Sequence, residues 1–401
     1  MVKTLDAAMD AAMDVPVPTY LLLVMRGMEW LVEKEIRRKL QVTYLEICSV
    51  QNDPARKNMN VMQGEAAVGR ILLRTTSTPA EVMKLQSVQA TLAFLVQSDA
   101  VITDRAAGLE QMAKLVTDAD WEPALRLWRA HFPSADAAPK KPAFRGSCVR
   151  DGRHAYRSME VAGEIGSAVI DKFGWDVNLV AFDLEIVCIL YHNFMITGIS
   201  LADTSKIKFC SRLANEDRKG VTADVKYIST LRPSTTYLMF QLAEYKVGEI
   251  FLDSMCGVGT IPIWCAEFAD NNLFALGGEL DDLAVSKAGQ NAATSVRNTN
   301  IMQWDATALP LRSQSIDKVI VDMPFGVRCG NHRINNKIYP KLMKELIRVL
   351  RDGGRAVILV MSKKLFLSSF QHLPFRVAQV HEVNIGGLAG GIYVLEKTSV
   401  Y

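Results

Sequence analysis

Ile316-Asp317-Lys318-Val319-Ile320-Val321-Asp322-Met323-Pro324-Phe325-Gly326 decides the reading of the second half of this chain. Residues 316–321 read as a short buried strand, rich in β-branched side chains. The strand runs directly into an acid, a proline, an aromatic ring and a glycine. Pro324 ends sheet pairing because it has no N–H to give, and it disfavours helix at Met323. Gly326 lets the backbone turn away at once. The expected result is a carboxylate and an aromatic face on a stiff turn at the carboxyl end of a strand. In open α/β sheets ligands bind at that edge.

Upstream, residues 249–253 predict a strand and Ser254-Met255-Cys256-Gly257-Val258-Gly259 a turn, with a helix starting at Thr260. A glycine-rich turn between strand and helix lets a ligand approach the backbone and presents helix N–H groups. A second strand over 273–278 ends at Glu279, and an acid at that spacing commonly hydrogen-bonds ribose hydroxyls. A third strand over 300–304 is followed by Asp305. Each acid closes its own strand, so Asp253, Glu279, Asp305 and Asp322 are expected along one edge of the sheet.

Both NAD and S-adenosylmethionine are bound on this plan. A dinucleotide fingerprint wants a third glycine where this chain has Pro262, and Asp253 just before the turn would repel a pyrophosphate while suiting a sulfonium or amino group. Asp-x-x-Cys-Gly-x-Gly resembles the first motif of S-adenosylmethionine-dependent methyltransferases. The Asp322 turn resembles the Asp-Pro-Pro-aromatic motif of enzymes that methylate exocyclic amino groups of bases. The cofactor implied is S-adenosyl-L-methionine, held by Asp253, Met255, Cys256, Gly257, Gly259, Glu279 with Leu280, Asp305 with Ala306, and Asp322. By analogy Glu279 takes the ribose, and Asp305 and Ala306 border the adenine. A turn or helix cap is the alternative role for Asp305.

Downstream, the pattern predicts a helix over 339–350, a fifth strand over 355–361, a short helix over 364–370 and two strands over 375–385 and 391–396. The five residues joining the last two are too few for a parallel crossover, so that pair must be antiparallel. The expected fold is a Rossmann-like class I methyltransferase domain ending in an antiparallel hairpin.

The first half reads differently. A strand over 19–25, a helix from Met28 to Leu40, a loop over 52–64, a strand over 69–75 and a helix over 80–96 suggest an α+β unit of ferredoxin-like type. A further helix is expected over 111–131, then a Pro-rich linker over 133–142. From Lys140 to Arg157 six basic side chains (Lys140, Lys141, Arg145, Arg150, Arg153, Arg157) face one acid, Asp151, with His154 and Tyr156 interleaved. Cations beside aromatic rings suit phosphates and stackable unpaired bases; a solvated basic face is the alternative. Residues 144–149 read as a strand, Ser158 as the cap of a helix to Phe173, and 180–201 as a hairpin. Phe144-Arg145-Gly146-Ser147-Cys148-Val149-Arg150, Ser158-Met159-Glu160-Val161-Ala162 and Phe182-Asp183-Leu184-Glu185 resemble a THUMP domain, which implies binding of the tRNA acceptor end.

At 401 residues, two or three domains are expected, and 49% hydrophobic with 22% charged residues is ordinary for a globular protein with ample core. The net charge of +3 does not by itself mark a polyanion partner. Seven scattered cysteines without a Cys-x-x-Cys pair suggest reduced thiols and no zinc site. No apolar run is long enough to cross a bilayer, and the first residues carry no signal-like pattern. The expectation is a cytoplasmic protein, also nuclear in the alternative. The expected divisions are a tail over 1–17, a ferredoxin-like domain over 18–143, a THUMP domain over 144–205, a connector over 206–231 and the methyltransferase domain over 232–401.

Gln303-Trp304-Asp305-Ala306-Thr307-Ala308-Leu309-Pro310-Leu311-Arg312, Pro324-Phe325-Gly326-Val327-Arg328 and Asn384-Ile385-Gly386-Gly387-Leu388 look like the eukaryotic THUMP-domain tRNA guanine-N2-methyltransferases, of the THUMP domain-containing protein three type. The resemblance implies N2-methylation of guanosine in the tRNA acceptor stem. It also implies a partner, the small zinc-binding activator subunit shared by several RNA methyltransferases. Asp322, the Met323 carbonyl, Pro324 and Phe325 are the expected catalytic turn, and Arg328 and Arg333 further RNA contacts. Met323 departs from the family's proline or leucine. Other readings are a small nuclear RNA substrate, N6-methylation of adenine in RNA or DNA, and an RNA-binding protein with a decayed catalytic domain.

Overall fold

A computed structural model describes residues 17–48, 68–102, 104–131, 141–151, 154–191, 194–202, 231–295, 298–324, 332–385 and 388–398. The chain divides into two compact units, Met1–Glu216 and Asp217–Tyr401. The division falls within the connector expected over 206–231, which lies outside the described residues except for Leu231, as do the expected tail over 1–16 and loop over 52–64.

The first unit runs β1 (Tyr20–Met25), α1 (Glu29–Lys39), β2 (Val42–Ile47), β3 (Val68–Thr75), α2 (Pro79–Val82), β4 (Val88–Ser98), α3 (Arg105–Asp118), α4 (Glu122–His131), β5 (Phe144–Asp151), α5 (Ser158–Phe173), β6 (Leu184–Tyr191) and β7 (Phe194–Ser200). Its strands form one seven-stranded sheet in the order β2-β3-β1-β4-β7-β6-β5. β5 and β6 pair in parallel, while β6–β7 and β4–β7 are antiparallel. The expected boundary at 143/144 therefore separates segments that share a sheet, since β4 and β7 are hydrogen-bonded neighbours.

Three sequence expectations are corrected here. The helix expected over 80–96 is only the four-residue α2, started by a Thr78–Glu81 capping box, and then strand β4. Val82, Leu85, Val88, Leu92 and Leu95 fit a helical repeat, yet β4 is an interior strand with Ala90, Leu92, Ala93 and Leu95 all buried. A run buried on both faces shows no alternation, and periodicity alone cannot tell it from a helix. The helix expected over 111–131 is two helices. Trp121 interrupts it, donating its indole N–H to the Val116 carbonyl at 2.8 Å and packing edge-on against Phe173. Finally, the N-cap of α5 is Arg157 rather than Ser158, with the Arg157 N–H donating to Glu160 at 2.7 Å. Strand β2 had no counterpart in the sequence reading.

The second unit runs α6 (Pro233–Ala243), β8 (Ile250–Asp253), α7 (Thr260–Phe268), β9 (Phe274–Glu279), α8 (Asp282–Ser295), β10 (Thr299–Gln303), β11 (Ile316–Asp322), α9 (His332–Val349), β12 (Leu350–Val360), α10 (Lys363–Phe370), β13 (Phe375–Ile385) and β14 (Leu388–Lys397). The sheet order is β10-β9-β8-β11-β12-β14-β13. The first five strands are parallel, and β14 runs antiparallel to both β12 and β13, as the short connection requires. Order reverses between β8 and β11, so the crevice at their carboxyl ends is where such a sheet binds a ligand. Val319, Val321, Ile358 and Val360 are fully buried with Leu342, Met343 and Leu346 of α9 in the core that carries this edge.

Candidate active site

Four strands deliver acids to one crevice. Asp253 closes β8, Glu279 closes β9, Asp322 closes β11, and Asp305 follows the end of β10. With Asp281 they line a cleft of about 360 Å³, within the range of small-molecule sites. Met255, Cys256, Gly257, Leu280, Ala306, Met323 and Pro324 line it too, as the sequence anticipated. Gly259 does not border the cleft; it caps α7 in the left-handed region, at φ +86. Ser254, Thr260, Trp304 and Ile338 are among the further lining residues that were not singled out as site residues. Trp304 could have been, since it directly precedes Asp305.

The glycine turn is held by the strand beside it. The Cys256 N–H donates to the Gly278 carbonyl at 2.8 Å, and the Gly257 N–H to Glu279 at 3.0 Å. Gly257 sits at φ +54 with nothing within 4 Å of where a Cβ would stand, so the turn faces open space. Glu279 also accepts the Leu280 and Asp281 N–H groups at 2.8 and 3.3 Å, which still leaves acceptor capacity for a ligand. Gly278 is required by packing: a Cβ there would lie 1.7 Å from the Trp304 ring. That ring is fixed by its N–H, which donates to the Ser254 carbonyl at 3.1 Å. Asp305 accepts the Thr307 N–H at 2.8 Å, which holds its carboxyl below the usual carboxylate range. The capping role weighed for Asp305 is thus present in the fold.

Among the described residues, two acids are left short of partners. Asp253 Oδ1 accepts the Met255 N–H at 3.1 Å, whereas its Oδ2 is buried without a partner. Burial pushes the Asp253 carboxyl well up, with the nearby Asp322 and Glu279 charges adding to it. Asp322 keeps some exposure as a residue, but its Oδ1 is closed off and unpartnered, and burial raises its pKa to about 7. Among the described residues, no lysine or arginine lines the cleft. Buried carboxylates with unmet acceptors and no basic neighbour favour a cationic ligand or N–H donors and disfavour a phosphate. The acids, the open glycine turn and the cleft volume fit S-adenosylmethionine, whose sulfonium and ammonium are cationic.

The turn after β11 is tied at two points. The Met323 N–H donates to the Leu359 carbonyl at 3.0 Å, and the Pro324 carbonyl accepts from Asn335 Nδ2 at 2.8 Å and the Tyr339 hydroxyl at 2.9 Å. Phe325 and Arg328 lie outside the described residues, and Arg333 begins α9 with its side chain outside them.

The basic cluster of the first unit divides. Lys141 and Arg157 are exposed, and Arg150 is half-buried on β5. His154 stacks on Tyr156 at 5.4 Å, but Tyr156 is itself buried. Lys140 and Arg153 lie outside the described residues. Arg145 is corrected: only 9% exposed, it pairs with Glu185 at 2.7 Å and lies over the Phe182 ring at 4.1 Å. Position alternates along a strand, so one residue of a basic run turns into the packed layer.

Residues 222–390 match the RMKL-like methyltransferase domain of the UPF0020 family. The chain is 34% identical over 280 residues to a cattle (Bos taurus) tRNA (guanine(6)-N(2))-methyltransferase THUMP3, covering 66% of this chain and 53% of that one. It is 32% identical over 234 residues to a mouse (Mus musculus) U6 snRNA (guanine-N(2))-methyltransferase THUMPD2, covering 57% and 40%. The chain thus spans about half the length, or less, of these curated relatives. The crystal structure of TrmN from Thermus thermophilus superposes with a TM-score of 0.67 at 19% identity, over 95% of this chain and 99% of that one, which speaks for the fold. The second unit thus matches the RMKL-like methyltransferase domain of the UPF0020 family over residues 222–390, in a chain similar to THUMP-type guanine-N2-methyltransferases.

Proposed function

We propose that the protein uses S-adenosylmethionine to methylate the exocyclic N2 amino group of guanosine in the acceptor stem of tRNA. The observation that carries this reading is the Asp322-Met323-Pro324 turn standing at the edge of an acid-lined cleft. The names of the relatives support the guanine N2 atom and the tRNA substrate. The module over 144–205 is read as the THUMP element that holds the tRNA acceptor end, through Arg150, His154 and Arg157, with Lys141 just before it. The small zinc-binding activator subunit is proposed as partner. Exposed apolar side chains at the β10 edge of the sheet, among them Phe274, Leu283 and Met302, are a surface it could cover. The proposed place of action is the cytoplasm, with the nucleus as the alternative.

Asp253, Glu279 and Asp305 would hold the donor through its ammonium, ribose and adenine groups. When bound, S-adenosylmethionine supplies a methyl group on a positively charged sulfur. The guanine amino nitrogen is a poor nucleophile because its lone pair is delocalised into the ring. Asp322 and the Met323 carbonyl accept its two N–H bonds, which draws the lone pair out of conjugation. The carboxylate also stabilises the positive charge that develops on the nitrogen. Phe325 stacks on the base, which has to leave its helix to be reached. Alignment rather than strong basicity is the main contribution asked of the protein.

A second reading is specifically favoured by the similarity to a U6 snRNA enzyme: the same chemistry on a small nuclear RNA. Methyl transfer from labelled S-adenosylmethionine to total small RNA, with and without the activator subunit, separates the two. N2-methylguanosine in the tRNA fraction is the expected product. The same nucleoside in U6 would move the substrate, and N6-methyladenosine would overturn the choice of base.

A further inference from the structure

We propose that Asn335 and Tyr339 are positioning residues that hold the Asp322–Pro324 turn in the shape that methyl transfer needs. The inference rests on the function proposed above and adds to it two residues from an element that the sequence motifs do not include. Proline cannot donate a hydrogen bond, so a turn ending in Pro324 can be gripped there only through its carbonyl. That carbonyl accepts two hydrogen bonds, from Asn335 Nδ2 at 2.8 Å and from the Tyr339 hydroxyl at 2.9 Å. The donors stand one helical turn apart on α9, and both residues are 0% exposed.

A core would not choose these side chains for packing. Asn335 Oδ1 is buried without a partner among the described residues, a cost that leucine at the same place would not carry. The amide orientation is set by chemistry, because an oxygen aimed at the Pro324 carbonyl would repel it. The same helix also grips the other side of the cleft. Glu345 accepts the Leu309 N–H at 2.7 Å, and Arg348 donates to the Leu309 and Leu311 carbonyls at 2.9 and 2.7 Å. Within the first grip, Ile338, the residue before Tyr339, lines the cleft itself. α9 therefore works as a splint between the catalytic turn and the loop that carries Asp305. With the Pro324 carbonyl pinned to α9 and the Met323 N–H to β12, the peptide planes of the turn are set before a base arrives.

The test is a kinetic comparison of the full chain with its activator subunit as wild type, Tyr339→Phe, Asn335→Leu and the double variant. S-adenosylmethionine affinity and melting temperature are measured on the same samples. The expected result is a fall in kcat of about tenfold for each single variant and about 100-fold for the double. Dissociation constants for S-adenosylmethionine and for small RNA should stay within about twofold of wild type. Two outcomes overturn the inference while the function stands: a double variant with wild-type kcat, or loss of activity that only tracks loss of cofactor binding. No transfer by the wild type to any RNA overturns the function and the inference together.

Discussion

The two sheets of this protein have seven strands each and treat buried carboxylates in opposite ways. In the first unit the buried carboxylates are engaged. Arg145 lies between Glu185 and Phe182, and Glu35 accepts the Gln86 and Ser87 N–H groups at 3.0 and 2.9 Å. In the second unit Asp253 and Asp322 each keep a buried oxygen without a partner. A fold has no reason to retain an unmet carboxylate unless something else arrives to meet it. The difference separates charges that serve the fold from charges that serve a ligand, and each can be tested by removing it.

The largest effect is expected at the catalytic turn. Asp322→Ala should lower kcat about a thousandfold, or about 4 kcal/mol, without lowering the melting temperature; a wild-type rate would remove the residue from the mechanism. The acid should also show in pH profiles. With its pKa raised to about 7, the rate should climb as pH passes through about 7, and Asp322→Asn should flatten that limb. Stability moves the other way. The contribution of this carboxyl is fully present below about pH 4, where the folded and unfolded states both carry the proton. It is lost as pH rises from about 4 through about 7, because the unfolded chain ionises there while the buried group in the folded state keeps its proton. Thermal melts of wild type and Asp322→Asn across that window should converge at the acid end.

In the first unit the expected loss is of stability instead. Arg145→Ala leaves Glu185 buried and unpaired and should cost about 3 kcal/mol of folding stability. A fall in RNA affinity at unchanged stability would reverse the assignment of Arg145. A third substitution, Gly278→Ala, forces a methyl group into the Trp304 ring. It should cost about 1–3 kcal/mol and weaken S-adenosylmethionine binding as the ring moves; calorimetry on one sample reads both. The smallest effect belongs to Arg157, which is exposed. Arg157→Ala should leave the melting temperature alone and reduce the salt slope of RNA binding by about 0.7–0.9.

Legibility of the sequence followed from how local each cause is. The Asp322 turn could be read because a β-branched run, a proline and a glycine each restrict their own backbone. The acids could be placed on one edge because parallel strands share a carboxyl end, and the C-terminal hairpin because its connection is short. β4 could not be read, since a strand buried between β1 and β7 has lost the alternation that reports a strand. Arg145 and Arg157 looked alike as members of one basic cluster, and only pairing across β5 and β6 turned the first into a buried ion pair. Asn335 and Tyr339 carried no signal at all: they meet Pro324 from 11 and 15 residues away. The sequence by itself determined the order of strands in the second unit and the acids at their ends, because these depend on neighbouring residues; helix α8 had no counterpart in that reading. Tertiary structure alone decided which charges are met and which are left waiting, because a partner is chosen by proximity in space.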